Sequence, residues 1–309
     1  MTAVSGVEEF PHLSVIAAAA LRAWPEHEKF LRASLGSGDG EFMSRLENVA
    51  ADVVALTGDD LDVFAQDYRW MCEAFREEQF YFARHKKYRR STIDEAIRDI
   101  YGNASYMSRY VNGILLTQVL WLNHARAMDI YRDMFLPGNR AGYEHLEVGP
   151  GHGLFLVSAA RDPRCAALTA WDVSPSSLES TRRALGKMKV LRPVVMKEAE
   201  ICSVDPQPDA FDSVMCSEVL EHTEHPHKAL DNIFRALRSG GHLFLNVPVN
   251  SPAPDHIYLW RKPDEVRSMV ESQGFAIEEF IALPPTGRTL EDALRYDFDI
   301  SCVIIASKQ

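Results

Sequence analysis

The sequence predicts an α/β protein: a Rossmann-like sheet with helices on both faces, preceded by an all-helical N-terminal segment. Three observations carry this. Residues 144–156, Glu-His-Leu-Glu-Val-Gly-Pro-Gly-His-Gly-Leu-Phe-Leu, pass from an apolar strand through three alternate glycines into a new apolar run. Residues 167–172, Ala-Leu-Thr-Ala-Trp-Asp, read as a second buried strand ending in an acid. Up to residue 140 proline occurs only at 11, 25 and 137, and the apolar pattern is helical throughout.

In chain order, residues 39–56 and 59–84 predict two amphipathic helices, the second opening Asp-Asp-Leu-Asp. Residues 92–101 open Thr-Ile-Asp-Glu, a variant of the capping box. Residues 104–135 form one long or two shorter helices, and Leu136-Pro137-Gly138-Asn139 stops them. After the glycine turn and the second strand, Ser-Pro-Ser-Ser opens a helix over 175–187. Residues 210–216 are a fourth strand, and Gly240-Gly241 precede a fifth, His-Leu-Phe-Leu-Asn-Val-Pro. A helix over 263–274 ends at Gly274, and a strand follows. Residues 284–298 are a loop with at most a short helix, before a last strand beginning Asp-Ile-Ser-Cys. Two terminal strands without a full crossover helix predict an antiparallel closing strand.

Composition sets bounds on function. Hydrophobic residues make up 46% and charged residues 25% of 309, ordinary for a globular enzyme. The net charge of −11 gives no electrostatic footprint for nucleic acid or an anionic membrane. The one basic cluster, His85-Lys86-Lys87-Tyr88-Arg89-Arg90, reads as a solvated loop between helices. Five scattered cysteines without a C-x-x-C pair argue against a disulfide framework or a thiolate zinc site and for a reducing compartment. No stretch is long and apolar enough to span a membrane, and the alanines at 17–20 lack the basic segment of a signal peptide. A cytoplasmic protein is therefore expected.

The glycine turn carries the chemistry. A Cβ there would block both the turn and the approach of a ligand to bare backbone. The amides that open the next helix suit an anionic group. A dinucleotide fingerprint G-x-G-x-x-G would need glycine at 154, where Leu154 stands, which disfavours a nicotinamide oxidoreductase. The spacing is G-x-G-x-G at Gly149, Gly151 and Gly153, with Glu147 two residues ahead. Asp172 ends the second strand, 23 residues after Gly149, where an acid is suited to both hydroxyls of a ribose.

LEVGPGHG closely resembles motif I of class I S-adenosylmethionine (SAM)-dependent methyltransferases. FDSVMCSEVLEH and SGGHLFLNVP are similar to the segments around strands four and five in members of the UbiG/Coq3 and UbiE type. The resemblance covers roughly residues 144–308. It implies a seven-stranded methyltransferase sheet, with a helical cap at 1–140 and a SAM-binding domain at 141–309. It implies that Glu147, Gly149, Gly151 and Gly153 hold the methionine portion of SAM and that Asp172 holds the ribose. Ser217 and Glu218 would start the loop beneath the methyl group. Glu200 either approaches the adenine or is a solvated loop acid.

Glu218, Glu221 and His222 stand at i, i+3 and i+4, which on a helical turn puts three side chains on one face. With His256 they resemble the E-x-x-E-H plus later histidine of metal-assisted methyltransferases, and two carboxylates with imidazoles suit a divalent ion such as Mg²⁺, Mn²⁺, Fe²⁺ or Zn²⁺. The same residues serve without metal if His222 or a carboxylate acts as base. His225 and His227, around Pro226, read as an exposed helix start.

In this fold the helical segment is expected to wall the substrate. Its aromatics Tyr68, Trp70, Phe80, Tyr81, Phe82, Tyr106, Tyr110 and Trp121 suit a core better than a ligand box. Gln118, Asn123 and His124 lie within an apolar run and need partners if buried, in a neighbouring helix or in a substrate. Tyr106, Tyr110 and Gln118 are the candidate substrate contacts. The expectation is a SAM-dependent methyltransferase acting on a small molecule. Alternatives are an RNA 2′-O-methyltransferase, which the acidic balance disfavours, and a SAM-binding isomerase or cyclase on the same scaffold.

Overall fold

The computed structural model describes residues 7–309. Residues 1–6 of the expected cap lie outside it. Helices fill the chain as far as Gly138. They are α1 Pro11–Ala23, α2 Glu28–Leu35, α3 Gly40–Thr57, α4 Leu61–His85, α5 Ile93–Ala96, α6 Ala104–Leu120, α7 Leu122–Ile130 and the single turn α8 Leu136–Gly138. Local chemistry sets their starts. The Asp39, Thr92 and Asn103 side chains each accept a backbone N–H of the first turn, donors that otherwise have no partner.

One expectation for this half changes, and one open alternative is decided in favour of two shorter helices. The helix expected over 92–101 is α-helical only for its first turn and then widens into a π-type turn at Ile97–Tyr101. The helix over 104–135 divides at Trp121, whose extended backbone (φ −106°, ψ 122°) ends α6, and widens again at Tyr131–Phe135. Helices α4 and α6 pack together, and Tyr68 of α4 is buried where it meets Trp121 Nε1 and His27 Nε2, at 2.9 and 2.8 Å.

From Tyr143 the chain alternates strand and helix. The elements are β1 Tyr143–Val148, α9 Leu154–Arg161, β2 Cys165–Asp172, α10 Pro175–Lys187, β3 Val194–Glu198, β4 Phe211–Ser217, α11 Pro226–Ala236, β5 Leu237–Val249, α12 Pro263–Ser272, β6 Phe275–Leu283, α13 Leu290–Tyr296 and β7 Ile300–Lys308. They form one seven-stranded sheet in the order β3-β2-β1-β4-β5-β7-β6. The first five strands in sequence pair in parallel, and β7 lies antiparallel between β5 and β6. The fold is therefore the α/β, Rossmann-like seven-stranded sheet with a helical N-terminal region that the sequence predicts. Strands β1, β4 and β7 and the second half of β5 are largely buried on both faces because helices cover both. Strand order reverses between β1 and β4, and a crevice opens there at the strands' carboxyl ends.

The basic cluster is a solvated loop only in part: His85, Lys86, Lys87 and Arg89 are exposed, whereas Tyr88 and Arg90 turn inward. Tyr88 is buried and its hydroxyl accepts the Ser251 N–H at 3.2 Å. Arg90 donates to the Pro254 carbonyl, and Arg89 pairs with Glu78 at 2.8 Å. Arg261 reaches back to the Lys86 carbonyl at 2.8 Å. The segment fastens the helical half to the loop after β5, and its partners lie 163 to 175 residues away in sequence.

Candidate active site

A cavity sits at the carboxyl ends of the strands, roofed by α6. Met107, Tyr110, Val111, Ile114, Gln118 and Trp121 line it from above. Their spacing of three or four residues, or multiples of it, places them on one face of α6. The loops after β1, β2, β3, β4 and β5 supply the floor.

The three glycines divide the work after β1. All have positive φ, from +50° to +78°, a region that costs other residues about 1–2 kcal/mol. A Cβ on Gly149 would strike Val219 Cγ2 at 2.5 Å, so this glycine lets the loop after β4 close over the turn. A Cβ on Gly153 would press on Ala184 and Thr181 of α10, so Gly153 serves helix packing and does not line the cavity. A Cβ on Gly151 would meet only the Gly149 carbonyl, at 4.0 Å. The room at Gly151 is therefore left for a ligand. Thr181 Oγ1 holds the turn by donating to the Gly151 carbonyl at 3.1 Å.

Two acids flank this turn. Asp172, at the end of β2, accepts the Ser174 N–H at 2.8 Å and is pushed up to about 7 by burial. Glu147 is 1% exposed, its Oε2 has no partner, and burial with Asp172 nearby raises its pKa well above the ordinary range. Both residues line the cavity. Glu200 also lines it, but its Oε1 accepts the Cys202 N–H at 2.8 Å and so braces the turn after β3. Ser217 lies on the floor, its hydroxyl accepting from Asn246 at 3.2 Å.

The loop after β4 differs from expectation. Glu218 has φ +53° and lies outside the helical turn, which spans only Leu220–His222. Its carboxylate accepts from Asn246 Nδ2 at 2.9 Å. Glu218, Glu221 and His222 therefore do not share a helical face, and the close group is Glu221, His222 and His256. One ligand-capable atom from each of these three lies within 4.8 Å of the others. His222 Nε2 is 3.4 Å and His256 Nε2 3.9 Å from Glu221 Oε1. Each ring uses Nδ1 on a backbone carbonyl, His222 on Asp255 and His256 on Ser251. Those carbonyls only accept, so each Nδ1 carries the proton and each Nε2 presents a lone pair. Both oxygens of Glu221 are buried without a partner. Burial and the adjacent Glu218 raise the Glu221 pKa, and burial holds His256 down to about 3. A proton on the Glu221 carboxyl, which the raised pKa favours, or a cation in its place is what two Nε2 lone pairs and a carboxylate facing one another would share.

Sequence reasoning missed Asp255, which ties this group to the cap. Its carboxylate is 1% exposed and accepts Tyr110 OH at 3.0 Å and Tyr101 OH at 3.2 Å. Its Oδ2 lies 3.5 Å from His222 Nδ1. The Ile257 and Tyr258 N–H groups donate to the Glu221 carbonyl at 2.8 and 2.9 Å, fixing the loop after β5 against the loop after β4. A lone acid in a proline-containing loop gave no periodic signal. Among the candidate substrate residues, Tyr110 and Gln118 line the cavity. Tyr106 does not: it packs edge-on to Trp70, behind Tyr110. Asn123 bonds Ser301 at 3.0 Å and His124 bonds Thr117 at 2.8 Å, whereas Gln118 Oε1 is buried without a partner.

A parallel sheet closed by an antiparallel strand, a G-x-G-x-G turn and an acid at the end of β2 define a nucleoside-cofactor fold of the methyltransferase kind. Comparison with known proteins agrees. A family described as "Methyltransferase domain" matches residues 146–245. The ubiquinone biosynthesis O-methyltransferase of Idiomarina loihiensis is 30% identical over 190 residues, covering 54% of this chain and 75% of that one. The mitochondrial ubiquinone biosynthesis O-methyltransferase of Schizosaccharomyces pombe is 32% identical over 135 residues, 42% of this chain and 47% of that one. The chain thus spans about half the length of the fission-yeast relative. A Haemonchus contortus phosphoethanolamine N-methyltransferase 2, solved with S-adenosylhomocysteine, shares the fold at TM-score 0.52 and 16% identity, over 67% of this chain and 60% of that one. The chain belongs to the class I SAM-dependent methyltransferases.

Proposed function

We propose that this protein transfers a methyl group from SAM to a hydroxyl of a small molecule held between the cap and the catalytic loops. The observation that carries the reading is one cavity lined both by the open glycine turn with Glu147 and Asp172 and by the close group Glu221, His222 and His256. The ubiquinone-biosynthesis relatives, O-methyltransferases by name, support oxygen as the acceptor atom. The cavity wall carries no Lys or Arg among the described residues, which favours a small molecule over RNA. In this reading residues up to 140 form the cap and the rest the SAM-binding domain. Among the described residues no helix is long and apolar enough to cross a membrane. The five unpaired cysteines support a reducing, cytoplasmic setting.

SAM supplies an electrophilic methyl group on a sulfonium. Asp172 takes the ribose hydroxyls, Gly149 and Gly151 give backbone room for the methionine portion, and Glu147 accepts from its amino end. Ser217 and Glu218 form the floor beside the reacting atoms. Proximity in a water-poor cavity supplies much of the rate, because the two reactants are held in line.

Glu221, His222 and His256 fit a divalent ion: two Nε2 lone pairs and an unpartnered carboxylate converge, and each Nδ1–H is anchored on a carbonyl. Such an ion would lower the pKa of an acceptor hydroxyl. In a metal-free alternative, His222 Nε2 takes the hydroxyl proton directly, with Asp255 orienting the ring through Nδ1. Asn246 keeps Glu218 beside this group.

Two results are expected. Ribose hydroxyls need Asp172 as carboxylate, and burial raises its pKa from 3.8 to about 7. SAM affinity should therefore rise with pH, approaching tenfold per unit below about 7 and levelling above it. Asp172→Asn should flatten the profile and weaken binding by about 1.5–3 kcal/mol. Calorimetry at pH 5.5, 6.5, 7.5 and 8.5 reads both, and a flat wild-type profile would remove Asp172 from the ribose. Secondly, Tyr110→Phe removes one bond to buried Asp255, worth about 1.5–3 kcal/mol. It should reduce methyl transfer roughly tenfold or more while SAM affinity stays within about twofold. Equal losses in both would show that Tyr110 shapes the cofactor side.

A further inference from the structure

Gln118 and His124 stand where the α6 roof passes into α7, beside Trp121. Gln118 is 5% exposed, and its Oε1 has no partner although the side chain lines the cavity. A buried amide oxygen left bare costs about 1–3 kcal/mol unless a ligand satisfies it. His124 lines the same end. Thr117 donates its hydroxyl hydrogen to the Ile114 carbonyl at 2.7 Å, so its oxygen receives His124 Nδ1–H at 2.8 Å. The second ring nitrogen, Nε2, is therefore an acceptor too, and burial keeps the ring neutral, with a pKa of about 4. Gln118 lies eight residues beyond Tyr110, about 12 Å along the helix axis at 1.5 Å per residue, so this pair is remote from Asp255 and His222. The roof between them is apolar: Val111 and Ile114, with Phe75 alongside.

We propose that Gln118 and His124 form a subsite that recognises a hydrogen-bond donor, a hydroxyl or N–H group, on the molecule bound under the cap, and that this molecule is otherwise apolar and carries no anionic group. Two lone-pair acceptors require a donor between them. A carboxylate or phosphate would find only neutral donors at this end, and no Lys or Arg anywhere on the wall among the described residues to offset its desolvation. The subsite rests on the methyl-transfer reading for the identity of the molecule. The donor has two possible sources: a second hydroxyl or amine of the acceptor molecule, or the amino group of the cofactor's methionine portion. The chemistry recognised is the same.

Calorimetry on the full chain separates these. Wild type and Gln118→Leu are titrated with S-adenosylhomocysteine. With that ligand saturating, they are then titrated with 2,7-dihydroxynaphthalene, 2-naphthol and 6-hydroxy-2-naphthoate. Wild type is expected to bind the diol at least tenfold tighter than 2-naphthol and the carboxylate at least tenfold more weakly. Gln118→Leu should bind diol and naphthol within twofold of each other, with S-adenosylhomocysteine unchanged. A tenfold loss of S-adenosylhomocysteine affinity in Gln118→Leu, without any diol preference in wild type, supports the subsite but puts the donor on the cofactor and overturns the claim about the acceptor. A diol preference that survives in Gln118→Leu, or no binding by any naphthalene probe while S-adenosylhomocysteine binds, overturns the proposal. Failure of wild type to bind S-adenosylhomocysteine strikes the methyl-transfer reading instead, and melting temperature then decides the subsite. Loss of an unpartnered buried carbonyl leaves the Gln118→Leu melting point at or above that of wild type, whereas a fall of several degrees makes Gln118 a structural residue and overturns the subsite.

Discussion

Replacing Gly151 by valine is expected to abolish SAM binding in a protein that still folds. The Cβ at this position meets nothing closer than 4.0 Å, so the side chain enters the space kept for the ligand and leaves the core untouched. The backbone at φ +50° disfavours a β-branched residue by about 1–2 kcal/mol, a modest loss against a fold of this size. Gly153→Val is the contrast. It presses on Ala184 and Thr181, and it should lower the melting temperature more than it weakens binding per folded molecule. Calorimetry with S-adenosylhomocysteine and thermal unfolding of both variants check the pair. Wild-type affinity in Gly151→Val would remove this turn from the cofactor site.

Exhaustive chelation is expected to remove methyl transfer, and added Mg²⁺ or another divalent ion to restore it. The prediction comes from two histidines and an unpartnered carboxyl whose ligand-capable atoms lie within 4.8 Å of one another. Glu221→Ala and His256→Ala should behave alike, each losing at least the roughly 10–100-fold that outer-shell partners of metal sites cost when removed. Glu218 makes a different prediction because it bonds Asn246 and stands outside the close group. Glu218→Gln keeps that acceptor oxygen and should cost less than Glu221→Gln. Elemental analysis gives a second readout, independent of turnover. Full activity after chelation, with no bound metal, would leave His222 as the base.

Much of the sheet was legible because buried strands and glycine turns leave short-range signatures. The G-x-G-x-G turn, the acid ending β2 and the apolar runs at 210–216 and 242–248 each show within about ten residues. The closing antiparallel strand was legible from a missing crossover helix. Other features depend on contacts far away in sequence. Tyr88 and Arg90 look like part of a charged loop until the loop after β5 meets them. Asp255 acquires meaning only when Tyr101 and Tyr110 reach it from 154 and 145 residues upstream. Glu218 was misplaced by helical spacing: the E-x-x-E-H string fits a helix in one dimension, but its first residue takes a left-handed backbone and leaves the turn. Tyr106 and Tyr110 are four residues apart on α6, and only the packing of Trp70 decides which of them reaches the cavity.

The place of β7 bears on how the chain comes to be folded. Strand β6 is synthesised before β7 yet has no neighbour except β7, and β5 exposes one edge until the same strand arrives. Eight residues in a row of β7, from Ile300 to Ser307, are buried, so its insertion closes this side of the sheet and its hydrophobic layer in one event. A nascent chain ending between Leu283 and Ile300 leaves the outer edge of β5 and both edges of β6 open, the template on which edge-to-edge aggregation begins. Chaperone dependence and inclusion-body formation in this protein should therefore be governed by the interval between emergence of β5 and emergence of β7. Slowing translation within residues 284–299 should raise aggregation more than slowing it within the helical half.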